Sequence, residues 1–72
     1  MYPNFNAEYA RKGLTLDTLV AEMEKRDCKR SVPTMSLKLN GKAPITLNEA
    51  KVLKDVLGTT LPIEVLFSEE AI

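Results

Sequence analysis

Six basic side chains crowd one stretch of the chain. Lys25, Arg26, Lys29, Arg30, Lys38 and Lys42 fall within residues 25–42, against Asp27 alone. Ammonium and guanidinium groups at this density suit phosphate or an acidic protein surface. The plainer alternative is a solvated face. Cys28 lies inside the same run, where Lys29 and Arg30 favour its thiolate and hence its oxidation. The simpler expectation is an incidental thiol in an exposed turn. The chain has no histidine, so the cysteine lacks the ordinary base of a nucleophile. One cysteine without histidine makes neither a zinc finger nor an internal disulfide. Glu69-Glu70 forms a carboxylate pair near the end of the chain, with no burial expected to tune it. No glycine-rich phosphate loop is present, and Gly41 reads as a helix stop. The expectation is a protein that is not an enzyme, with no catalytic residues, cofactor, metal or small-molecule substrate.

These residues sit in a chain of 72, 44% apolar and 28% charged, with a formal net charge of zero. Such a chain makes one domain and buries only about 60% of its unfolded surface, so partners matter to it. Its apolar content is too high for disorder. The charge is uneven: residues 1–42 carry eight Lys/Arg and five Asp/Glu, and residues 43–72 carry two Lys and five acids. The start, Met1-Tyr2-Pro3-Asn4-Phe5-Asn6, lacks the basic opening and apolar run of a signal peptide. No apolar stretch is long enough for a membrane span. A cytoplasmic protein is expected.

The periodicity predicts five helices and no strands. Asn4 or Asn6 caps a first helix that runs to about Lys12 and stops at Gly13. Thr15 caps a second, with Asp17 in its first turn and Leu16, Leu19, Val20 and Met23 at i, i+3, i+4 and i+7, ending near Lys25 or Arg26. Residues 27–30 read as a turn. Ser31 caps a third helix with Pro33 in its first turn, Met35 and Leu39 facing inward and Val32 one turn earlier, stopped by Asn40-Gly41. Thr46-x-x-Glu49 is a capping box ahead of Ala50, Leu53 and Leu57, closed by Gly58. Thr60 caps a last helix with Pro62 in its first turn and Ile63, Leu66 and Phe67 as its stripe. Ile45, Leu47 and Leu61 complete the expected core. The domain is 1–72, with its core about 7–67 and a tail 68–72.

The ordered set Gly13-Leu14-Thr15-Leu16-Asp17, Lys38-Leu39-Asn40-Gly41-Lys42, Pro44-Ile45-Thr46-Leu47-Asn48-Glu49-Ala50 and Val56-Leu57-Gly58-Thr59-Thr60-Leu61 resembles Cro/CI-type helix-turn-helix regulators over roughly Ala7 to Phe67. The endings of the third helix and the start of the fourth look most like small regulators of temperate phages of Gram-positive bacteria. In size and layout the chain is similar to the modulators of repression of temperate lactococcal phages. The resemblance implies an all-α, five-helix domain whose third helix, about 33–40, is the recognition helix. It also implies a host bacterial cytoplasm.

Two departures from that pattern bear on function. Twelve steps separate Met23 from Met35, longer than the family spacing by roughly five residues. An enlarged turn between helices 2 and 3, a longer helix 2, or both, take up the difference. The second departure is the outward face of helix 3. Base readout in the major groove needs side chains that donate or accept hydrogen bonds. The positions that usually read bases fall on Val32, Pro33 and Leu37, none of which does so, although Thr34, Ser36 and Lys38 are polar. Zero net charge also departs from a tight operator binder.

The expected function is therefore an antirepressor of a phage lysis/lysogeny switch. It would bind the DNA-binding domain of the phage repressor and block operator binding. Val32, Pro33, Thr34, Leu37 and Lys38 would form the contact, and Lys25, Arg26, Lys29, Arg30 and Lys42 the basic patch toward acidic groups or phosphate. The alternative is a Cro-like operator-binding repressor, acting alone or as a corepressor with the repressor.

Overall fold

The computed structural model describes residues 2–70. Five helices succeed one another: α1 (Pro3–Lys12), α2 (Leu16–Glu24), α3 (Val32–Leu39), α4 (Leu47–Leu57) and α5 (Ile63–Leu66). Among the described residues there is no strand, and no helix is long and apolar enough to cross a membrane. α2 packs on α3 and α4, and α1 packs on α4 and α5. The chain closes into a body of 29 × 24 × 21 Å.

Local chemistry sets most helix ends as the sequence predicts. Thr15 and Ser31 cap α2 and α3 by accepting from the N–H of Thr18 and Thr34. The Thr46–Glu49 box is complete. Gly13, Gly41 and Gly58 take the left-handed conformation that ends α1, α3 and α4. A glycine pays no Cβ penalty there.

Two starts differ from expectation. α1 begins before Asn4, because Pro3 occupies its first turn with its φ preset and no N–H to satisfy. Asn4 is not a cap but a buried tie: its Nδ2 donates to the Val65 carbonyl at 2.8 Å and the Glu70 carbonyl at 3.2 Å. α5 is not capped by Thr60, since Pro62 holds the cap position without a side-chain bond. The tie from Asn4 also folds 68–70 back on the domain, so they are not a free tail. Residues 71–72 of the expected tail lie outside the described residues.

The core is a cluster of Phe5, Leu19, Met23, Cys28, Met35, Leu53, Leu57 and Leu66. It reaches further toward the N-terminus than expected, through rings that close the two ends of the chain. Phe5 stacks on Tyr9 at 5.8 Å and on Phe67 at 5.5 Å, and Tyr2 meets Phe67 edge-on at 5.6 Å. Such pairs add about 0.5–1.5 kcal/mol each beyond area burial. Of the other residues expected in the core, Leu16, Val20, Leu39, Leu61 and Phe67 are partly buried against the cluster, and three neither belong to it nor pack on it. Val32 and Ile45 are half-buried, and Leu47 is 64% exposed. Leu47 occupies the first position of α4, where side chains lean toward the helix N-terminus and past the body of the domain.

Cys28 is the largest departure. Expected in an exposed turn, it is 1% exposed. The reason is how α2 ends. Cys28 N–H bonds the Met23 carbonyl at 3.0 Å and Asp27 N–H bonds the Glu24 carbonyl at 3.1 Å, a Schellman pattern with Asp27 in the left-handed position. That pattern brings the residue after the left-handed one back onto the last turn, so Cys28 packs beside Met23 in the core. A non-glycine residue with φ of 59° is strained by roughly 1–2 kcal/mol. Asp27→Gly relieves that strain at some cost in unfolded-chain entropy. The expected net gain is about 0.5–1 kcal/mol in denaturant unfolding; a loss of stability would show that the Asp27 side chain holds the turn.

Candidate partner-binding site

The connection between α2 and α3 runs from Lys25 to Ser31, seven residues. Glu49 is the point to which that turn is tied. Its side chain is fully buried at the first turn of α4. Oε1 accepts the Thr46 N–H at 2.9 Å, completing the cap. Lys38 Nζ, from the last turn of α3, reaches both carboxylate oxygens at 2.7 Å. Arg30 Nε, from the turn, reaches Oε2 at 2.5 Å. One carboxylate thus pins turn, α3 and α4 together.

Burial pushes the Glu49 carboxyl up, but the Lys38 ammonium, the Thr46 N–H, the Arg30 guanidinium and the Thr46 hydroxyl outweigh it and hold its pKa at about 2. Burial costs an unpaired charge heavily, while paired and hydrogen-bonded it is tolerated. Among the described residues, no buried side-chain polar atom lacks a partner.

Four of the six cations of the expected basic patch are paired with carboxylates of the same chain. Lys25 pairs with Glu22 at 2.9 Å, and Arg26 pairs with Glu22 at 3.1 Å and Asp55 at 2.5 Å. Arg30 and Lys38 are held by Glu49, and the Lys38 side chain is only 15% exposed. Of the six cations in 25–42, only Lys29 and Lys42 have no carboxylate partner among the described residues, and both are exposed. They lie just before and just after α3.

The expected contact residues are brought together on α3 but differ in freedom. Pro33, in the first turn of α3, is exposed, and Leu37, in its last turn, is 50% exposed. Val32 is half-buried. Thr34 is half-buried and tied to the cap, its Oγ1 accepting from the Ser31 hydroxyl at 2.8 Å. Lys38 faces Glu49. The outward face of α3 therefore carries exposed apolar groups at both turns, Pro33 and Leu37, with its one helix cation turned toward Glu49.

Sequence reasoning placed Glu49 in a capping box and missed its burial. The signal was present: Glu49, Leu53 and Leu57 stand at i, i+4 and i+8, on one face. Among the described residues there is no group of acidic, cysteine or histidine side chains suited to a metal ion. No protein-family model, curated protein or solved structure matches this chain.

Removing the Glu49 carboxylate leaves Lys38 unpaired at the α3–α4 junction. Glu49→Ala is expected to cost about 3–5 kcal/mol, a large share of the roughly 4–10 kcal/mol available to a domain of this size. The folded pKa lies below the ordinary 4.5 of the unfolded chain. The contribution is therefore complete above about pH 4.5 and is lost as pH falls toward 2. Urea unfolding as a function of pH should show that loss in the parent and not in Glu49→Gln; equal acid slopes in both would remove Glu49 as its source.

Proposed function

We propose that this chain is an antirepressor of helix-turn-helix layout from a phage genetic switch, acting in the host bacterial cytoplasm. It binds the DNA-binding domain of the repressor and blocks operator binding. α2, the seven-residue turn and α3 correspond in this reading to the helix-turn-helix unit that the resemblance to Cro/CI-type regulators implies, the turn being enlarged relative to that pattern. The observation that carries it is the surface of α3: Leu37 half exposed in its last turn, and Lys38 and Arg30 paired with Glu49. A helix in the major groove needs donors and acceptors pointing out. An outward apolar face with its cations paired to Glu49 suits a protein partner instead, where such residues act as hot spots. Val32, Pro33 and Leu37 supply the apolar contact, with Thr34 at its edge.

A Cro-like operator binder is the second reading. Lys29 and Lys42 favour it, because they are unpaired and bracket α3 where phosphates flank a recognition helix. The protein acts by contact in both readings, and neither assigns it catalysis, a cofactor or a membrane.

A band-shift titration on the intergenic region beside its own gene separates the two. An antirepressor gives no shift alone and releases the shift made by the neighbouring repressor. A Cro-like protein shifts the DNA alone, in a salt-sensitive way. Leu37→Ala is expected to weaken repressor binding by about 1–3 kcal/mol with the fold intact. Unchanged repressor binding by that variant would remove α3 from the interface.

A further inference from the structure

Four cations stand at the ends of α3. Lys29 and Arg30 precede its cap Ser31, Lys38 lies in its last turn, and Lys42 follows three residues after its end. A helix laid against a nucleic-acid duplex takes phosphate contacts from positions like these. Lys29 and Lys42 are exposed. Lys38 and Arg30 are engaged elsewhere. Glu49, with no exposed surface, takes the Lys38 ammonium on both carboxylate oxygens at 2.7 Å and Arg30 Nε on one. The Lys38 side chain is left 15% exposed and that of Arg30 33%. Arg30 Nη1 is held as well, by the Lys29 carbonyl at 2.8 Å.

The Glu49 carboxylate competes with phosphate in two ways. It cancels positive charge that a phosphate would meet, and it fixes the direction in which the ammonium points. A phosphate draws Lys38 away only by leaving a buried carboxylate short of partners, which is costly. Without the negative charge at position 49 the balance reverses. A carboxamide holds an ammonium weakly, and a lysine at the edge of a domain extends its charged head into water. We propose that Glu49 keeps this chain off DNA: it withholds Lys38, and Arg30 with it, from the phosphate backbone. Neutralising Glu49 turns the α3 surface into a sequence-independent DNA binder. This rests on the antirepressor reading, in which a chain of helix-turn-helix layout meets a protein and not the operator.

The test compares the full chain with two variants that each remove one negative charge. Glu49→Gln keeps an oxygen to accept the Thr46 N–H. Glu69→Gln makes the same change in charge at an exposed position. Fluorescence anisotropy follows binding to a labelled duplex of arbitrary sequence over a range of salt. Glu49→Gln is expected to bind about tenfold more tightly than the parent at low salt, with a log–log salt slope steeper by about 0.9 for each cation released. Glu69→Gln should track the parent. Adding Lys38→Gln to Glu49→Gln should return affinity and slope toward the parent's. Equal affinity and slope for a folded Glu49→Gln and the parent would overturn the proposal, as would a gain shared by Glu69→Gln or left intact by Lys38→Gln. If Glu49→Gln does not fold, Lys38→Gln alone decides. Unchanged duplex binding sustains the proposal, and weakened binding places Lys38 at phosphate already and overturns it. The antirepressor reading is scored separately, by binding of the parent to the DNA-binding domain of the repressor encoded beside its gene. It stands or falls on that binding, whichever way the duplex comparison goes.

Discussion

A carboxylate with no access to water must be surrounded by donors, and in this protein that requirement organises half the fold. Glu49 takes donors from three places at once: the Thr46 N–H at the start of its own helix, Lys38 near the end of α3 and Arg30 in the turn before α3. The carboxylate has no exposed surface, so its partners come from the protein. The seven-residue turn and the short α3 gain a fixed place relative to α4 that apolar packing alone would specify less sharply. A buried ion network is weak evidence for extra stability over a well-packed apolar core. Its effect here is positional: it fixes which way α3 faces and which of its side chains remain outside.

The other half of the fold is held by closure of the ends. Phe5, Phe67 and Tyr2 join the first helix to the last, and Asn4 adds two hydrogen bonds to carbonyls of 65 and 70. A chain of this length has little interior, and joining its termini lets rings from both ends share one core. α2, α3 and α4 share the buried cluster of Leu19, Met23, Met35, Leu53 and Leu57, to which the Glu49 pairs add direction, and α1 and α5 join it through Phe5, Leu66 and the aromatic pairs.

Helices were legible because their ends are written in local chemistry. Thr15, Ser31, the Thr46–Glu49 box and the three left-handed glycines act within one turn of themselves, so periodicity and caps were enough. The illegible features depend on partners distant in the chain. Asn4 looks like a cap until Val65 and Glu70 are placed beside it. Asp27 carries no glycine signal for the left-handed turn that buries Cys28. Leu47 fits a core stripe by spacing, yet at the first position of α4 there is no neighbour above it to cover it. The basic run read as a surface patch because sequence gives the charge of Arg26, Arg30 and Lys38 but not the location of their partners Asp55 and Glu49, which lie 29, 19 and 11 residues away respectively. Candidate contact residues on α3 were legible as a group, since helical spacing puts them on one face; that Lys38 leaves that face was not.

Pairing inside the fold also decides what the surface has left to offer. The segment 25–42 carries five more positive than negative charges in sequence, but four of its six cations are spent on Glu22, Asp55 and Glu49. Affinity for a phosphate backbone grows with the number of free cations that displace counterions, and Lys29 and Lys42 supply only two near α3. The exposed leucines lose nothing in the same exchange. Leu37 and Leu47 lie on different helices, each able to lose solvent only against another molecule. In this stretch of the chain the ion pairs leave the apolar side chains, not the cations, as the groups whose desolvation a partner could still exploit.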